Sequence, residues 1–220
     1  MTKSIAPRLP LNRDRILQAA LQFGDAEGME SLTMRKLGQT LGFGVMSLYN
    51  HVANKDDLLG GILDLVLAES EPPLPTSDWD TAIRTSAISV HDALRRHPWS
   101  APLLMAPSGQ GRPARMGYMD LLLGRLREAG FSAVTTFHAY HVLDGYIFGF
   151  SLWETSHTYT ADEASNLAAT FEQTISAETY PYLIEHAQQH FSEGPHRDLR
   201  AFEFGLDLII EGLRMIRDTA

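Results

Sequence analysis

The chain has no cysteine, which excludes a disulfide framework and any thiolate metal centre. No apolar run reaches the roughly 18 residues that mark a membrane-spanning helix. The opening, MTKSIAPRLPLN, has no apolar h-region, so no secretory signal is expected and the expected location is cytoplasmic. No stretch alternates apolar and polar residues long enough to count as a strand, and there is no internal repeat or low-complexity tract. Also missing are a glycine-rich phosphate loop, a nucleophile elbow and the His-Glu-x-x-His of metalloproteases. Lysine is scarce: Lys3, Lys36 and Lys55 are the full set.

What is present is a globular composition, 44% hydrophobic over 220 residues, enough to bury a substantial core. The net charge of −9 argues at first against a nucleic-acid partner. Its distribution argues otherwise. Residues 1–55 hold seven Lys and Arg against four acids, a net +3, while the remainder holds eleven against twenty-three, a net −12. A weakly basic head on an acidic body fits a protein whose head alone touches phosphate. Chance unevenness in a short segment would give the same figures.

The segment from Ser31 to Leu59, SLTMRKLGQTLGFGVMSLYNHVANKDDLL, carries the most information. The Thr33 hydroxyl can cap a helix on whose one face Met34, Leu37 and Leu41 fall. Gly42 stops that helix and permits a left-handed turn. Val45, Leu48 and Val52 form the inner stripe of a second short helix. Asn54 caps a third, which places Asp56 and Asp57 at its positive end. Two short helices joined by a glycine turn present the second one outward, and such a helix fits a DNA major groove. On its outer side, from Gly44 to His51, Ser47 and Asn50 can bond base edges, and Val45 and Met46 can touch a thymine methyl. Arg35 can meet base or phosphate, and the N–H groups of the helix that Thr33 caps can hold phosphate.

The runs Leu32-Thr33-Met34-Arg35, Leu41-Gly42-Phe43, Leu48-Tyr49-Asn50-His51-Val52 and Asn54-Lys55-Asp56-Asp57-Leu58-Leu59 resemble the DNA-binding domain of the TetR family of transcriptional repressors. The pairing of LY-x-H with N-K-x-x-L-L is specific, unlike a bare helix-turn-helix pattern. The resemblance covers roughly the first 60 residues. It implies phosphate contacts at Tyr49, His51 and Lys55. Tyr49 fits equally as a half-buried packing ring, and His51 as a helix-end residue against the carbonyl dipole. Gly44 departs from the family pattern, where a capping Ser or Thr is more usual.

The rest of the chain reads as helices, so the expected fold class is all-α. Asn12 caps a first helix with an apolar stripe of Ile16, Leu17, Ala20, Leu21 and Phe23. The helix from Lys55 runs to about Glu69 and is broken by Glu71-Pro72-Pro73-Leu74-Pro75. Residues 1–70 are the expected DNA-binding domain and 71–220 the effector-binding and dimerisation domain. Ser77 or Asp78 caps the next helix, which reaches about Arg96. A short segment runs from Pro98 to Met105, a loop covers Pro107–Pro113, and a helix spans Arg115–Ala129 with Met119, Leu122, Leu123 and Leu126 inside. Further helices are expected over Thr135–Glu154, near Asp162–Ile175 and Tyr182–Phe191, and at the C-terminal end.

Two of these are too apolar for ordinary surface helices. The last carries one stripe of Leu199, Phe202, Leu206, Ile209, Leu213 and Ile216, and a second of Ala201, Gly205, Leu208, Gly212 and Met215. One stripe can face the body's own core and the other needs a partner; Ala201, Gly205, Leu208, Gly212 and Met215 are the candidate interface stripe, though the pattern alone does not choose between the two. The helix over Thr135–Glu154 is apolar around much of its circumference, with Gly145 and Gly149 four apart. Full enclosure in the core is one reading. The favoured one is a homodimer in which these two helices of each subunit form a four-helix bundle, which the family resemblance also implies.

His138, His141 and Asp144 step by three, with Glu154 and His157 nearby, so a metal site and a metal-dependent enzyme are conceivable. The preferred reading makes them polar handles for a small-molecule effector in an apolar cavity lined by Trp99, Met105, Met116, Met119, Phe137, Tyr140, Phe148 and Trp153, all equally good as plain core. The expected function is a ligand-responsive repressor, not an enzyme and with no cofactor or metal. It binds a palindromic operator as a homodimer and is released by a small hydrophobic effector. An enzyme of unknown reaction and an architectural DNA-binding protein without an effector are the alternatives.

Overall fold

The computed structural model describes residues 10–74, 78–106, 113–156, 160–192 and 199–219. Lys3, Arg8, the capping candidate Ser77, the loop over 107–112, His157 and the side chain of Leu199 lie outside the described residues. Among those described, every regular element is helical. The helices are α1 (Arg13–Glu27), α2 (Met34–Leu41), α3 (Val45–Tyr49), α4 (Lys55–Ala68), α5 (Trp79–Arg96), α6 (Ser100–Met105), α7 (Pro113–Glu128), α8 (Ala133–Ser156), α9 (Ala161–Thr174), α10 (Pro181–Ser192) and α11 (Leu199–Asp218). A 3₁₀ turn, Met29–Ser31, joins α1 to α2.

Capping side chains fix where three of the first helices begin. Asn12 Oδ1 accepts the Arg15 N–H at 2.9 Å, Thr33 Oγ1 that of Lys36 at 3.2 Å and Asn54 Oδ1 that of Asp57 at 2.8 Å. Each satisfies a backbone donor left over at a helix start. Asp78 stands at the N-cap of α5, where its side chain makes no capping hydrogen bond.

The chain divides into two compact units, residues up to His141 and residues from Val142, so the division falls within α8. In the first unit α1 packs on α2 and α4, α2 on α3, and α4 also on α5, α6 and α7. Its core joins Ile16, Leu17, Ala20 and Phe23 of α1 to Leu37, Leu48, Val52, Leu58, Ile62 and Val66, and it continues into Ala93 of α5. Each Leu, Ile, Val and Phe side chain among these contributes about 1.5–3 kcal/mol by leaving water.

The expected inner face of α7 is rotated. Tyr118, Leu122 and Leu126, four apart, are buried, while Met119 is at the surface and Leu123 only half-buried. Likewise α3 ends at Tyr49, and Val52 is buried from the turn that follows rather than from the helix.

In the second unit α9 packs on α10. The Tyr146 ring of α8 stacks on Phe202 of α11, centroids 5.3 Å apart, and its hydroxyl donates to the Phe202 carbonyl at 2.8 Å. Burial raises the Tyr146 pKa above its ordinary value. The inner stripe of α11 is Phe202, Leu206, Ile210 and Leu213; Ile216, expected inside, is exposed. Among the described residues no helix is long and apolar enough to cross a membrane.

Candidate nucleic-acid interface and effector-facing surface

The turn between α2 and α3 depends on Gly42, held at φ 75° and ψ 28°, a left-handed conformation that side chains disfavour. Phe43 N–H then donates back to the Gly38 carbonyl at 2.9 Å, closing the helix end. This turn sends α3 across the surface with Leu48 fully buried as its anchor. Met46 is left 75% exposed, Tyr49, Asn50 and His51 are also exposed, and Val45 and Ser47 are half-buried. Gly44 caps α3 without a side-chain bond, at an ordinary φ of −70°. Thr33, Arg35 and Lys55 are exposed too. The expected DNA-facing set therefore comes together on one unit, around the start of α2, all of α3 and the start of α4.

Two features of this region escape a reading of the sequence. Arg13 and Asp57, 44 residues apart, form a two-pronged ion pair at 2.7 and 2.8 Å. His97, buried just past α5, sets Nδ1 2.7 Å from Asp25 Oδ1 at the end of α1 and Nε2 3.1 Å from Glu69 Oε1 at the end of α4. Asp25 also accepts the Trp99 indole N–H at 2.8 Å, and Arg96 donates to Glu69 at 2.9 Å. The one sequence hint is Asn54 followed three residues later by Asp57, a spacing close to a capping box.

The effector candidates divide. Trp99 is committed to Asp25 and to the surface of α1 at Gly24. Met105, Met116, Met119, His138 and His141 are exposed, and Phe137 is 57% exposed. Phe137 lies 4.3 Å from the His141 ring and 5.3 Å from that of His138, centroid to centroid. His141 Nδ1 donates to the Phe137 carbonyl at 2.7 Å, which leaves Nε2 as its other polar atom. In the second unit Phe148 is fully buried, Asp144 half-buried and Trp153 exposed. Phe148 thus serves as core. Among the described residues no three His, Asp or Glu side chains gather as a metal-binding set, so His138, His141 and Asp144 do not form one.

Of the stripe expected to need a partner, Ala201 is exposed, Leu208 and Met215 are 62% and 65% exposed, and Gly212 is half-buried. Val142, Gly145, Gly149 and Leu152 are likewise exposed along one side of α8. Gly205 differs: a Cβ there would collide with the Tyr146 hydroxyl of the same chain, so it serves an internal contact.

A family model described as "Tetracyclin repressor-like, C-terminal domain" matches residues 71–217. The HTH-type transcriptional repressor DrrR1 of Streptomyces coeruleorubidus is 31% identical over 226 residues, covering 97% of this chain and 81% of that protein. The chain belongs to the TetR family. Among solved TetR-family structures, ActR of Streptomyces coelicolor in complex with actinorhodin matches with a TM-score of 0.77 at 31% identity, over 93% of this chain and 95% of that one. BioQ with its double-stranded DNA operator matches with a TM-score of 0.66 at 25% identity, over 93% and 98% of the two chains. As a TetR-family member the chain is a transcriptional regulator with an all-α fold.

Proposed function

We propose that the chain represses transcription in the cytoplasm, binding a palindromic operator as a homodimer and leaving it when a small hydrophobic effector binds. It acts as a binding protein rather than an enzyme. Residues 1–70 read DNA, and residues 71–220 take up effector and dimerise. The observation that carries this reading is the outward face of α3, polar and apolar side chains free to meet base edges above a sealed core. The BioQ–operator and ActR–actinorhodin structures support the two halves of the reading. The uncovered apolar sides of α8 and α11 support the dimer.

Thr33, Arg35, Gly44, Val45, Met46, Ser47, Tyr49, Asn50, His51 and Lys55 form the DNA surface. Effector meets Met105, Met116, Met119, Phe137, His138 and His141. The route between them is α4, which packs on α1 as well as on α5, α6 and α7. Its far end is held through Glu69 by Arg96 and His97. Effector is proposed to shift α4 so that the recognition helices no longer match the DNA, and a tenfold loss of DNA affinity requires about 1.4 kcal/mol of differential effector binding between the DNA-bound and shifted states.

A screen of hydrophobic compounds by thermal shift, repeated on operator-bound protein, tests this. A compound that stabilises the free protein and lowers operator affinity supports the reading; one that stabilises it and leaves DNA affinity unchanged counts against coupling.

A further inference from the structure

Arg13 opens α1 and belongs to none of the surfaces assigned to DNA. Its Nη1 donates to Asp57 Oδ2 at 2.8 Å and its Nη2 to Asp57 Oδ1 at 2.7 Å, a planar fork matched to a carboxylate. Nη1 also reaches the His51 carbonyl at 3.3 Å. Asp57 accepts the Ala53 N–H at 2.8 Å, and its own N–H is taken by Asn54 Oδ1 at 2.8 Å. The turn that bears His51 and leads into Lys55 is thereby closed on itself and tied to α1. Gly61, one turn along α4, leaves the room: a Cβ there would lie 2.7 Å from Leu17 Cδ2 and 3.2 Å from Arg13 Nη2. The Arg13 bonds first, and the Ala53 N–H second, hold the Asp57 carboxyl below the usual carboxylate range.

Building on the DNA-binding reading above, we propose that Arg13 and Asp57 are positioning residues for operator recognition: together they fix the turn that presents His51, Lys55 and the end of α3, and so set the ratio of operator to non-operator affinity. Charge alone gives the opposite sign at one of them. An acid beside a phosphate-binding turn repels DNA, so removing it would tighten binding. Positioning requires that removing it weaken binding to the operator.

The test measures affinity by fluorescence anisotropy, at two salt concentrations, for a duplex selected with the wild-type protein and for a scrambled one, with circular dichroism confirming the fold. Asp57→Asn and Arg13→Ala are each expected to lower operator affinity about tenfold or more and scrambled-duplex affinity several-fold less, because displaced phosphate contacts at His51 and Lys55 weaken both duplexes while a displaced end of α3 weakens only the operator. Arg13→Lys, which keeps the charge and loses the fork, should fall between. If Arg13→Ala does not fold, Arg13→Lys decides the matter, because it keeps the charge and loses only the fork. Equal or tighter operator binding by folded Asp57→Asn overturns the proposal. So does an equal loss on both duplexes for Arg13→Ala with a shallower salt slope, which would make Arg13 a phosphate contact. Failure of the wild type to enrich any duplex defeats the DNA-binding reading, and the proposal with it.

Discussion

Individual side chains carry the sharpest expectations. Lys55 opens α4, where the helix dipole disfavours a cation, and Asp56 and Asp57 follow to compensate. A residue that breaks a local rule beside the helix proposed to read DNA points to a functional role, and for a lysine there the fitting one is phosphate binding. Lys55→Ala should therefore weaken binding to every duplex alike and reduce the salt slope by about 1, whereas Asn50→Ala should relax base preference by about 1–3 kcal/mol at one position. Binding curves over a salt series on matched and mismatched duplexes separate the two. His91 gives a pH expectation. Burial first, and the charge of Arg95 second, push its pKa from 6.5 down to about 4. The folded state thus resists the proton that the unfolded chain accepts. Stability is complete above the unfolded value and falls as pH drops from 6.5 towards 4, by at most about 1.4 kcal/mol per pH unit. Denaturant unfolding at pH 7, 6 and 5 should show this slope in the wild type and a flatter one in His91→Gln; equal slopes would refute it.

Among helices, legibility followed how local the cause was. The caps Asn12, Thr33 and Asn54 act within three residues, so the starts of α1, α2 and α4 could be read directly. The face of α7 could not. Met116, Tyr118, Met119, Leu121, Leu122, Leu123 and Leu126 surround it, and only its packing against α4 and α5 chooses the phase. The sequence-based stripes of α11 were nearly right, but Gly205 was grouped with residues needing a partner subunit because nothing nearby in sequence announces Tyr146. This divides two outwardly similar glycines. Gly205→Ala should cost about 1–3 kcal/mol of unfolding free energy through overpacking against Tyr146. Gly212→Ala, whose added methyl meets no neighbouring atom within 4 Å among the described residues, should keep that free energy or raise it by up to about 1 kcal/mol, since alanine is the better helix former. Denaturation of the two variants side by side checks the contrast, and equal losses would contradict it.

For the whole molecule, the all-α fold class was legible from helical periodicity, and a short motif with a mechanical reason singled out the surface residues around α3 that are proposed to face DNA. The effector surface was poorly legible, since Met, Phe and His suit a core, a pocket or an interface alike. The structure separates buried Phe148 from exposed Phe137 and Met116. The uncovered apolar sides of α8 and α11 lead to a firm expectation for assembly. Leu208→Glu should convert a dimer to monomer, because an unpaired charge would have to be buried there. A wild-type protein that sediments as a monomer at micromolar concentration would contradict the dimer. The most direct test of the proposed function is selection of binding sites from random duplex DNA with the full chain. The expected result is an enriched inverted repeat with half-sites about 34–36 Å apart or a multiple of that, bound by two chains and weakening steeply with salt. Enrichment of no site, or of a single unrepeated site bound by one chain, would contradict a dimeric repressor reading DNA through α3.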